Sequence, residues 1–239
     1  MLLFCNIAGT SETRKNSCDP PDISVAILKL DELDPPSKSS DSVELPIDVL
    51  LLVDEDDSLL SSYSFLNDAF KSCMTDLGIV YFGVTGDGQN KVNISLVRCG
   101  KGSTQVCGSQ NVAITAIKTL KPKALFSVGF CAGLNRTKAK LGDVVISAKL
   151  STFGGKKIIN DQRQWDGRKL DVSRKFRSLI LSAADGWKAP LKNKDARNVI
   201  VHREAEMFSG AEVENSLKEC KRPCLEFPEA IAIEQGGQG

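Results

Sequence analysis

The chain has 239 residues, of which 41% are hydrophobic and 26% are charged. Its 31 Lys and Arg residues almost balance its 30 Asp and Glu residues, so the net charge is +1. This composition is typical of a folded protein with a buried core, and it excludes a disordered chain and the basic surface that nucleic-acid binding requires.

Membrane spans, disulfides and metal sites are not predicted. No run of 18 apolar residues occurs, and the start of the chain lacks the basic segment of an export signal. A chain this long and rich in aliphatic residues needs no disulfides, so its eight cysteines are predicted to be reduced thiols in the cytoplasm. Cys220 and Cys224 are accompanied by no second cysteine pair and no histidine cluster. The single histidine, His202, lies 18 residues before Cys220. We therefore predict no metal and no cofactor, and a Ser–His or Cys–His hydrolase is disfavoured.

The chain divides by composition into a leader and a folded domain. Residues 1–45 are predicted to be a polar leader and linker with one short strand at Ile23–Leu30, and residues 46–239 to be the domain. The domain opens with a buried strand at Ile47–Val53. A helix follows, with an apolar stripe of Leu59, Leu60, Tyr63, Leu66 and Phe70.

Strands and helices then alternate to the end of the chain. Strands are predicted at Ile79–Val84, Val92–Arg98, Ala124–Gly129, Val144–Leu150, Asn198–His202 and Ala230–Glu234. Helices are predicted at Ser109–Leu120, Val172–Ala184 and Ala211–Cys220, and residues 151–170 are predicted to be irregular. This alternation indicates an α/β fold, a three-layer sandwich around a central, mostly parallel mixed sheet.

Ligands of such sheets bind beyond the carboxyl ends of the strands. Candidate positions are therefore Asp54 and Glu55, the loop Gly100–Ser103, the glycine-flanked turn Gly129–Gly133, and Glu234. The Gly100–Ser103 loop lacks the Walker A frame, and the 129–133 turn lacks the dinucleotide fingerprint. Neither standard mononucleotide or dinucleotide motif is present.

Five segments in order resemble the nucleoside phosphorylase superfamily, which includes purine nucleoside phosphorylases, uridine phosphorylases and methylthioadenosine/S-adenosylhomocysteine nucleosidases. They are IDVLLLVDED at 47–56, KPKALFSVGFCAGL at 121–134, LGDVVISAKL at 141–150, EMFSGAEV at 206–213 and PEAIAIEQGG at 228–237. The resemblance covers residues 46–239.

The resemblance implies a substrate site for a purine nucleoside or nucleotide. It places Gly129, Phe130, Cys131, Ala132 and Gly133 under the ribose and the purine. Phe208 falls near the aromatic residue that stacks on the base, and a shift of one residue would choose Met207 instead. Glu234 matches the first Glu of the family's Glu-Met-Glu, and Asp54 or Glu55 matches an acidic residue that helps to activate water.

The implied reaction is cleavage of an N-glycosidic bond, with water or phosphate as the attacking group. The phosphorylases need an arginine near the glycine turn, whereas this sequence has Ser127 before the turn and Phe130 within it. Without that cation, phosphate loses its main charge partner, so hydrolysis is favoured over phosphorolysis. The family also implies a homo-oligomer.

Two departures from the family leave alternatives open. Gly236 stands where the family has its ribose-binding Glu, and the chain ends at Gly239, before the Ser-Asp pair whose Asp protonates the base. We therefore expect a truncated chain with impaired catalysis. The alternatives are an inactive nucleoside-binding or interaction module of the same fold, and an unrelated doubly wound α/β domain.

Overall fold

The computed structural model describes residues 2–7, 22–100, 102, 107–134, 137–159, 162–193, 198–209 and 229–234. The chain forms two compact units, one of residues 26–129 and one of residues 2–25 and 130–239. The strands are β1 (Leu2–Ile7), β2 (Val49–Val53), β3 (Asn67–Met74), β4 (Gly78–Thr85), β5 (Val92–Arg98), β6 (Ala124–Gly133), β7 (Val144–Ile159), β8 (Gln162–Asp171), β9 (Val201–Ser209) and β10 (Ala230–Glu234). The helices are α1 (Asp56–Tyr63), α2 (Ser109–Leu120) and α3 (Arg174–Ser182).

The first unit is a sheet with a helix against each face. Strand β2 lies between β5 and the first part of β6 and is parallel to both, while β4 and β3 continue the sheet beyond β5 in antiparallel fashion. Leu50 and Leu52 pack with Ala116 and Leu120 of α2, whereas Val53 packs with Leu59 of α1. Because both faces of β2 are covered, its sequence is an almost continuous apolar run.

The second unit is built on three parallel strands. Strands β7, β9 and β10 lie side by side in that order. Antiparallel partners complete the sheet: β1 and β8 pair with β7, and the last residues of β6 pair with β10. The predicted α/β fold with a mixed sheet is therefore confirmed. Most of the candidate residues lie on strands that have a parallel neighbour in this sheet.

The strand predicted at Ile23–Leu30 is not formed, since Ile23 makes only an isolated bridge and Leu30–Glu32 form a 3-10 helix. Two further predictions were wrong because of strand pairing. The helix predicted to reach Phe70 ends at Tyr63, and residues 67–74 form β3 because they pair with β4 across the turn at 75–77. The turn predicted at 130–133 is the second part of strand β6, which pairs with β10. In both places a partner strand elsewhere in the chain overrides the local pattern.

The polar stretch at residues 151–170, predicted to be irregular, belongs to a long hairpin. Strand β7 continues to Ile159 and returns as β8 from Gln162, with cross-strand pairs from Lys149 and Asp171 onward. The predicted helix at 211–220 lies outside the described residues. In the part of the chain that the structure describes, no helix combines the length and the apolarity that a membrane crossing needs.

Residues 2–25 belong to the second unit and residues 26–45 to the first. Strand β1 pairs with β7, and Ile23 forms a bridge with Leu191. In the first unit, the backbone around Ser37 follows the outer edge of β3: Lys38 N–H donates to the carbonyl of Lys71 at 2.9 Å, and Lys38 Nζ lies 4.1 Å from the centroid of the Phe70 ring. An exposed strand edge is thereby covered.

Candidate functional site

In the first unit, the candidate residues lie at the carboxyl end of β2. Asp54 follows the strand directly and its side chain is 9% exposed. A Cβ placed on Gly129 would lie 3.6 Å from Asp54 Oδ1. A side chain at Gly129 would therefore be in van der Waals contact with the Asp54 carboxylate, and the glycine leaves that position unfilled.

Glu55 is placed differently from its neighbour. It is the residue before α1, and its carbonyl accepts a hydrogen bond from the N–H of Leu59 at 3.0 Å. Its side chain makes no capping hydrogen bond and is half-buried. Of the two predicted acidic residues, Asp54 is the more deeply buried and lies beside Gly129.

In the second unit, strand register brings together the other candidate residues. Strand β10 lies between β6 and β9. Its residue Glu234 is opposite Cys131 of β6, and its residue Ile233 is opposite both Ala132 and Phe208. Ala232 is likewise opposite Gly133 and Met207. Residues predicted from three separate sequence segments are thus neighbours at the ends of three strands.

The two candidates for contact with the base occupy opposite faces of β9. Met207 packs in one cluster with Cys131 and Ala232, whereas Phe208 packs in another with Ala132 and Ile233. Because side chains alternate along β10, Glu234 projects to the same face as Ala232, and therefore to the face of Met207. Exposure does not separate the two residues, since Met207 is 0% and Phe208 is 1% exposed. The face of Glu234 is therefore shared by Met207 and not by Phe208.

Ser209 was not singled out from the sequence, yet it is the partner of Glu234. Its Oγ donates a hydrogen bond to Glu234 Oε2 at 2.6 Å, and both side chains are buried. The two residues end the neighbouring parallel strands β9 and β10. Ser209 lies inside the segment EMFSGAEV that carries the family resemblance, but a contact between residues so far apart in the chain leaves no local signal.

A second serine–glutamate pair lies on the other face of β9. Ser151 Oγ donates to Glu206 Oε1 at 2.6 Å, and Lys169 Nζ lies 3.4 Å from the same oxygen. Ser151 and Glu206 are both buried. Alternation along β9 places Glu206 on the face of Phe208 and opposite that of Met207 and Ser209. The pair therefore joins β7 to β9 away from Glu234.

Asp143 accepts hydrogen bonds from two backbone N–H groups and lies within hydrogen-bond distance of His202. Lys140 N–H and His202 Nε2 lie 2.9 Å from its Oδ2, and Ile200 N–H lies 3.1 Å from its Oδ1. Burial would raise the pKa of Asp143, but these hydrogen bonds outweigh burial and hold the pKa below its usual value. Asp143 fastens the starts of β7 and β9, as expected of a residue at a strand entry.

The remaining sequence expectations concern thiols, metal and the glycine loop. Among the described cysteines, Cys73, Cys99, Cys107 and Cys131 form no disulfide. Among the residues that the structure describes, no three His, Cys, Asp or Glu side chains come together as metal ligands would. In the loop, Gly100 N–H donates to the carbonyl of Cys107 at 2.7 Å, so it is used within the fold. Lys101, Ser103 and Gly236 lie outside the described residues.

Comparison with known proteins places this geometry in context. The family model of the phosphorylase superfamily matches residues 76–197, just over half of the chain. A comparison with curated protein sequences gives no match.

Several solved structures are similar in fold. A mutant of futalosine hydrolase from Helicobacter pylori strain 26695 has a TM-score of 0.58 and 14% identity, with 80% of each chain covered. The 5'-methylthioadenosine/S-adenosylhomocysteine nucleosidase from Neisseria meningitidis, in complex with methylthio-immucillin-A, has a TM-score of 0.57 and 14% identity, with 78% of this chain and 74% of that chain covered. The Streptococcus pneumoniae MTA/SAH nucleosidase, in complex with 8-aminoadenine, has a TM-score of 0.55 and 18% identity, with 79% and 75% covered. At these identities, the similarity shows the fold alone.

Proposed function

Because the chain belongs to the phosphorylase superfamily, we propose that it binds a purine nucleoside or nucleotide and cleaves the N-glycosidic bond by hydrolysis. The observation that carries the proposal is Glu234, a residue only 3% exposed at the end of a parallel strand, which accepts a hydrogen bond from Ser209. A buried carboxylate costs folding energy, and functional sites are where proteins commonly keep one.

The fold relatives support the same reaction class. One is a futalosine hydrolase and others are nucleosidases, and the nucleosidase structures hold the adenine-like compounds methylthio-immucillin-A and 8-aminoadenine. These names apply to those proteins. A shared fold does not by itself transfer an activity, so for this chain the substrate class rests on the candidate residues together with the family.

The proposed roles follow from the charge that develops during the reaction. As the bond from C1′ to the base nitrogen breaks, its electron pair leaves with the base and the ribosyl group becomes cationic. Glu234 stabilises that charge as a preorganised carboxylate. In the role that the family resemblance implies, Asp54 or Glu55 accepts a proton from the attacking water as the water oxygen bonds to C1′. The departing base takes up a proton from solvent, and the proton on the carboxylate returns to solvent after the reaction.

The remaining predicted residues supply the surface for the substrate. Gly129 and Gly133 carry no side chain, so a ligand can approach the backbone between them, along Phe130, Cys131 and Ala132. Met207 contacts the nucleoside from the face of Glu234. Phe208, packed on the other face, supports β9 beneath it.

Hydrolysis is favoured over phosphorolysis by the residues of β6. Phosphate would need a cation near the glycines, and the positions in question are occupied by Ser127, which is buried, and by Phe130. Neither side chain carries charge. Because no arginine at these positions can bind phosphate, water is favoured as the attacking group.

A second candidate function is nucleoside binding without cleavage. It is favoured by Gly236, which stands where the resemblance expects the ribose-binding Glu. Loss of that carboxylate would weaken stabilisation of the cationic sugar more than it weakens binding of the uncharged nucleoside.

Incubation of the purified protein with adenosine, inosine, 5'-methylthioadenosine, futalosine and ATP tests both candidates, with and without phosphate. Chromatography measures the free base, and isothermal titration calorimetry measures binding. We expect base release without phosphate. Release that requires phosphate would overturn hydrolysis, saturable binding without release would establish the second candidate, and neither binding nor release would overturn both. Sedimentation of the same sample tests the homo-oligomer that the family implies.

A further inference from the structure

The bond between Ser209 and Glu234 assigns a role to a residue that the sequence left without one. We propose that Ser209 is a positioning residue, which holds the Glu234 carboxylate in the orientation that the ribosyl group requires. This inference rests on the proposed function, because it presumes that Glu234 contacts the substrate.

The geometry supports a directed hydrogen bond. The distance from Ser209 Oγ to Glu234 Oε2 is 2.6 Å, within the range of a hydroxyl that donates to an ionised carboxylate. Ser209 is completely buried, so water does not compete for its hydroxyl. A glutamate side chain has three rotatable bonds, and a fixed donor at its oxygen restricts them before the substrate arrives.

The position of Ser209 and Glu234 indicates that their hydrogen bond does more than join β9 to β10. Ile233 and Phe208 are register partners, so Ser209 and Glu234 are the next residues along their two parallel strands. The backbone already joins these strands up to that point. The side-chain bond adds control of the carboxylate where the strands end, which is where ligands bind in such sheets.

The chain contains a matched control. Ser151 and Glu206 form the same kind of buried bond at the same 2.6 Å, and Glu206 projects to the opposite face of β9. Ser151→Ala removes a buried hydroxyl from a buried glutamate, as Ser209→Ala does. A general effect of losing such a bond would appear in both variants, whereas a positioning effect would appear only in Ser209→Ala.

The experiment compares wild type, Ser209→Ala, Ser209→Thr and Ser151→Ala for base release from the best nucleoside of the panel above. We expect kcat of Ser209→Ala to fall by about tenfold or more, as for loss of a hydrogen bond to a charged group, with a smaller change in KM. The acid limb of its pH–rate profile should move to higher pH, because the lost bond favours the ionised carboxylate. Ser209→Thr, which keeps a hydroxyl, should recover most of kcat, and Ser151→Ala should match wild type.

Several results would overturn the inference. If wild type releases base and Ser209→Ala has the same kcat and pH profile, the positioning role fails while the proposed function stands. An equal loss in Ser151→Ala would also exclude it. If wild type itself releases no base, the proposed function fails and the inference fails with it. Thermal unfolding of each variant identifies a folding defect. If Ser209→Ala does not fold, the pH profile and the kcat of Ser209→Thr decide the question. An unaltered pH profile with kcat near wild type supports the positioning role, and a loss of kcat refutes it.

Discussion

Carboxylates at the amino ends of the parallel strands have different neighbours from carboxylates at the carboxyl ends. At the amino ends, Asp48 precedes β2 and accepts from the N–H of Asn93 and from Lys123, while Asp143 precedes β7 and accepts from two backbone N–H groups beside His202. At the carboxyl ends, Asp54 lies beside Gly129 in the first unit, and Glu234 accepts from a serine hydroxyl in the second. The contrast holds within each unit taken separately.

The difference separates carboxylates that fasten strands from carboxylates that can serve chemistry. Backbone N–H donors cannot leave a carboxylate without breaking the strand entry, so Asp48 and Asp143 are committed to the fold. At the carboxyl ends, Gly129 places no side chain against Asp54, and Ser209 donates a side-chain hydroxyl to Glu234. We propose that a ligand approaches the carboxylates at these ends. The comparison therefore predicts that amino-end substitutions lower stability and carboxyl-end substitutions lower activity.

The largest effect is expected for Asp54→Asn. The change keeps the shape of the side chain but removes the base that accepts a proton from water, so base release should fall by about 10²–10⁴. Chromatographic rates in folded protein measure it. Asp57→Asn, at an exposed position in the first turn of α1, serves as the control. A greater loss in Glu55→Gln than in Asp54→Asn would give the role to Glu55.

Glu234→Gln should have the next largest effect, a loss of about 10² in kcat/KM, because the amide cannot stabilise a cationic sugar as a carboxylate does. Glu206→Gln is the matched control, since Glu206 is also buried but lies on the opposite face of β9. Equal losses in the two variants would mean that burial of a carboxylate, and not its place, determines activity.

The sequence predicted the elements whose signal is local. The limits of β5, α2 and β10 match the predicted ones, because the apolar pattern of each segment ends at or next to a charged residue. The fold class followed from their alternation. The end of α1 and the strand β3 were missed because pairing with β4, and not the local apolar spacing, decides the structure of residues 66–74.

The sequence proposed the residues of the candidate site but could not give their arrangement. Glu234, Met207 and Cys131 were selected from separate segments, and register between strands brings them together. The sequence left Met207 and Phe208 as alternatives because side-chain alternation can be read only once the partner strands are known. Ser209 was missed for the same reason, since its bond to Glu234 depends on the pairing of β9 with β10.

Asp143→Asn should lower stability and leave the rate per folded molecule unchanged. The variant weakens acceptance from two backbone N–H groups and from His202, and we expect a loss of about 2 kcal/mol at neutral pH. Urea unfolding measures it. Asp185→Asn, which removes an exposed partner of Arg203, is the control and should cost well under 1 kcal/mol.

The pH dependence of the same variant sharpens this prediction. The pKa of Asp143 is lowered in the folded protein, because its hydrogen bonds outweigh its burial. Its contribution to stability is therefore complete above the unfolded pKa of about 4 and is lost as the pH falls through the lower folded value. The stability difference between wild type and Asp143→Asn should shrink as the pH falls below about 4. A difference that grows on acidification would contradict the assignment.

The smallest effect is expected for Lys123→Met at the amino end of β6. Lys123 Nζ donates to Asp48 Oδ1 at 2.6 Å, and this hydrogen bond, with that from Asn93 N–H, holds the pKa of Asp48 below its usual value. The Lys123 side chain is largely exposed, so its loss should cost at most about 1 kcal/mol, and less at high salt. Asp48→Asn should cost more, because it also weakens acceptance from Asn93 N–H in the strand next to β2. If urea unfolding shows instead that Lys123→Met lowers the free energy of unfolding more than Asp48→Asn does, the ion pair, and not the backbone N–H, stabilises this end of the sheet. The distinction between the two strand ends would then fail in the first unit.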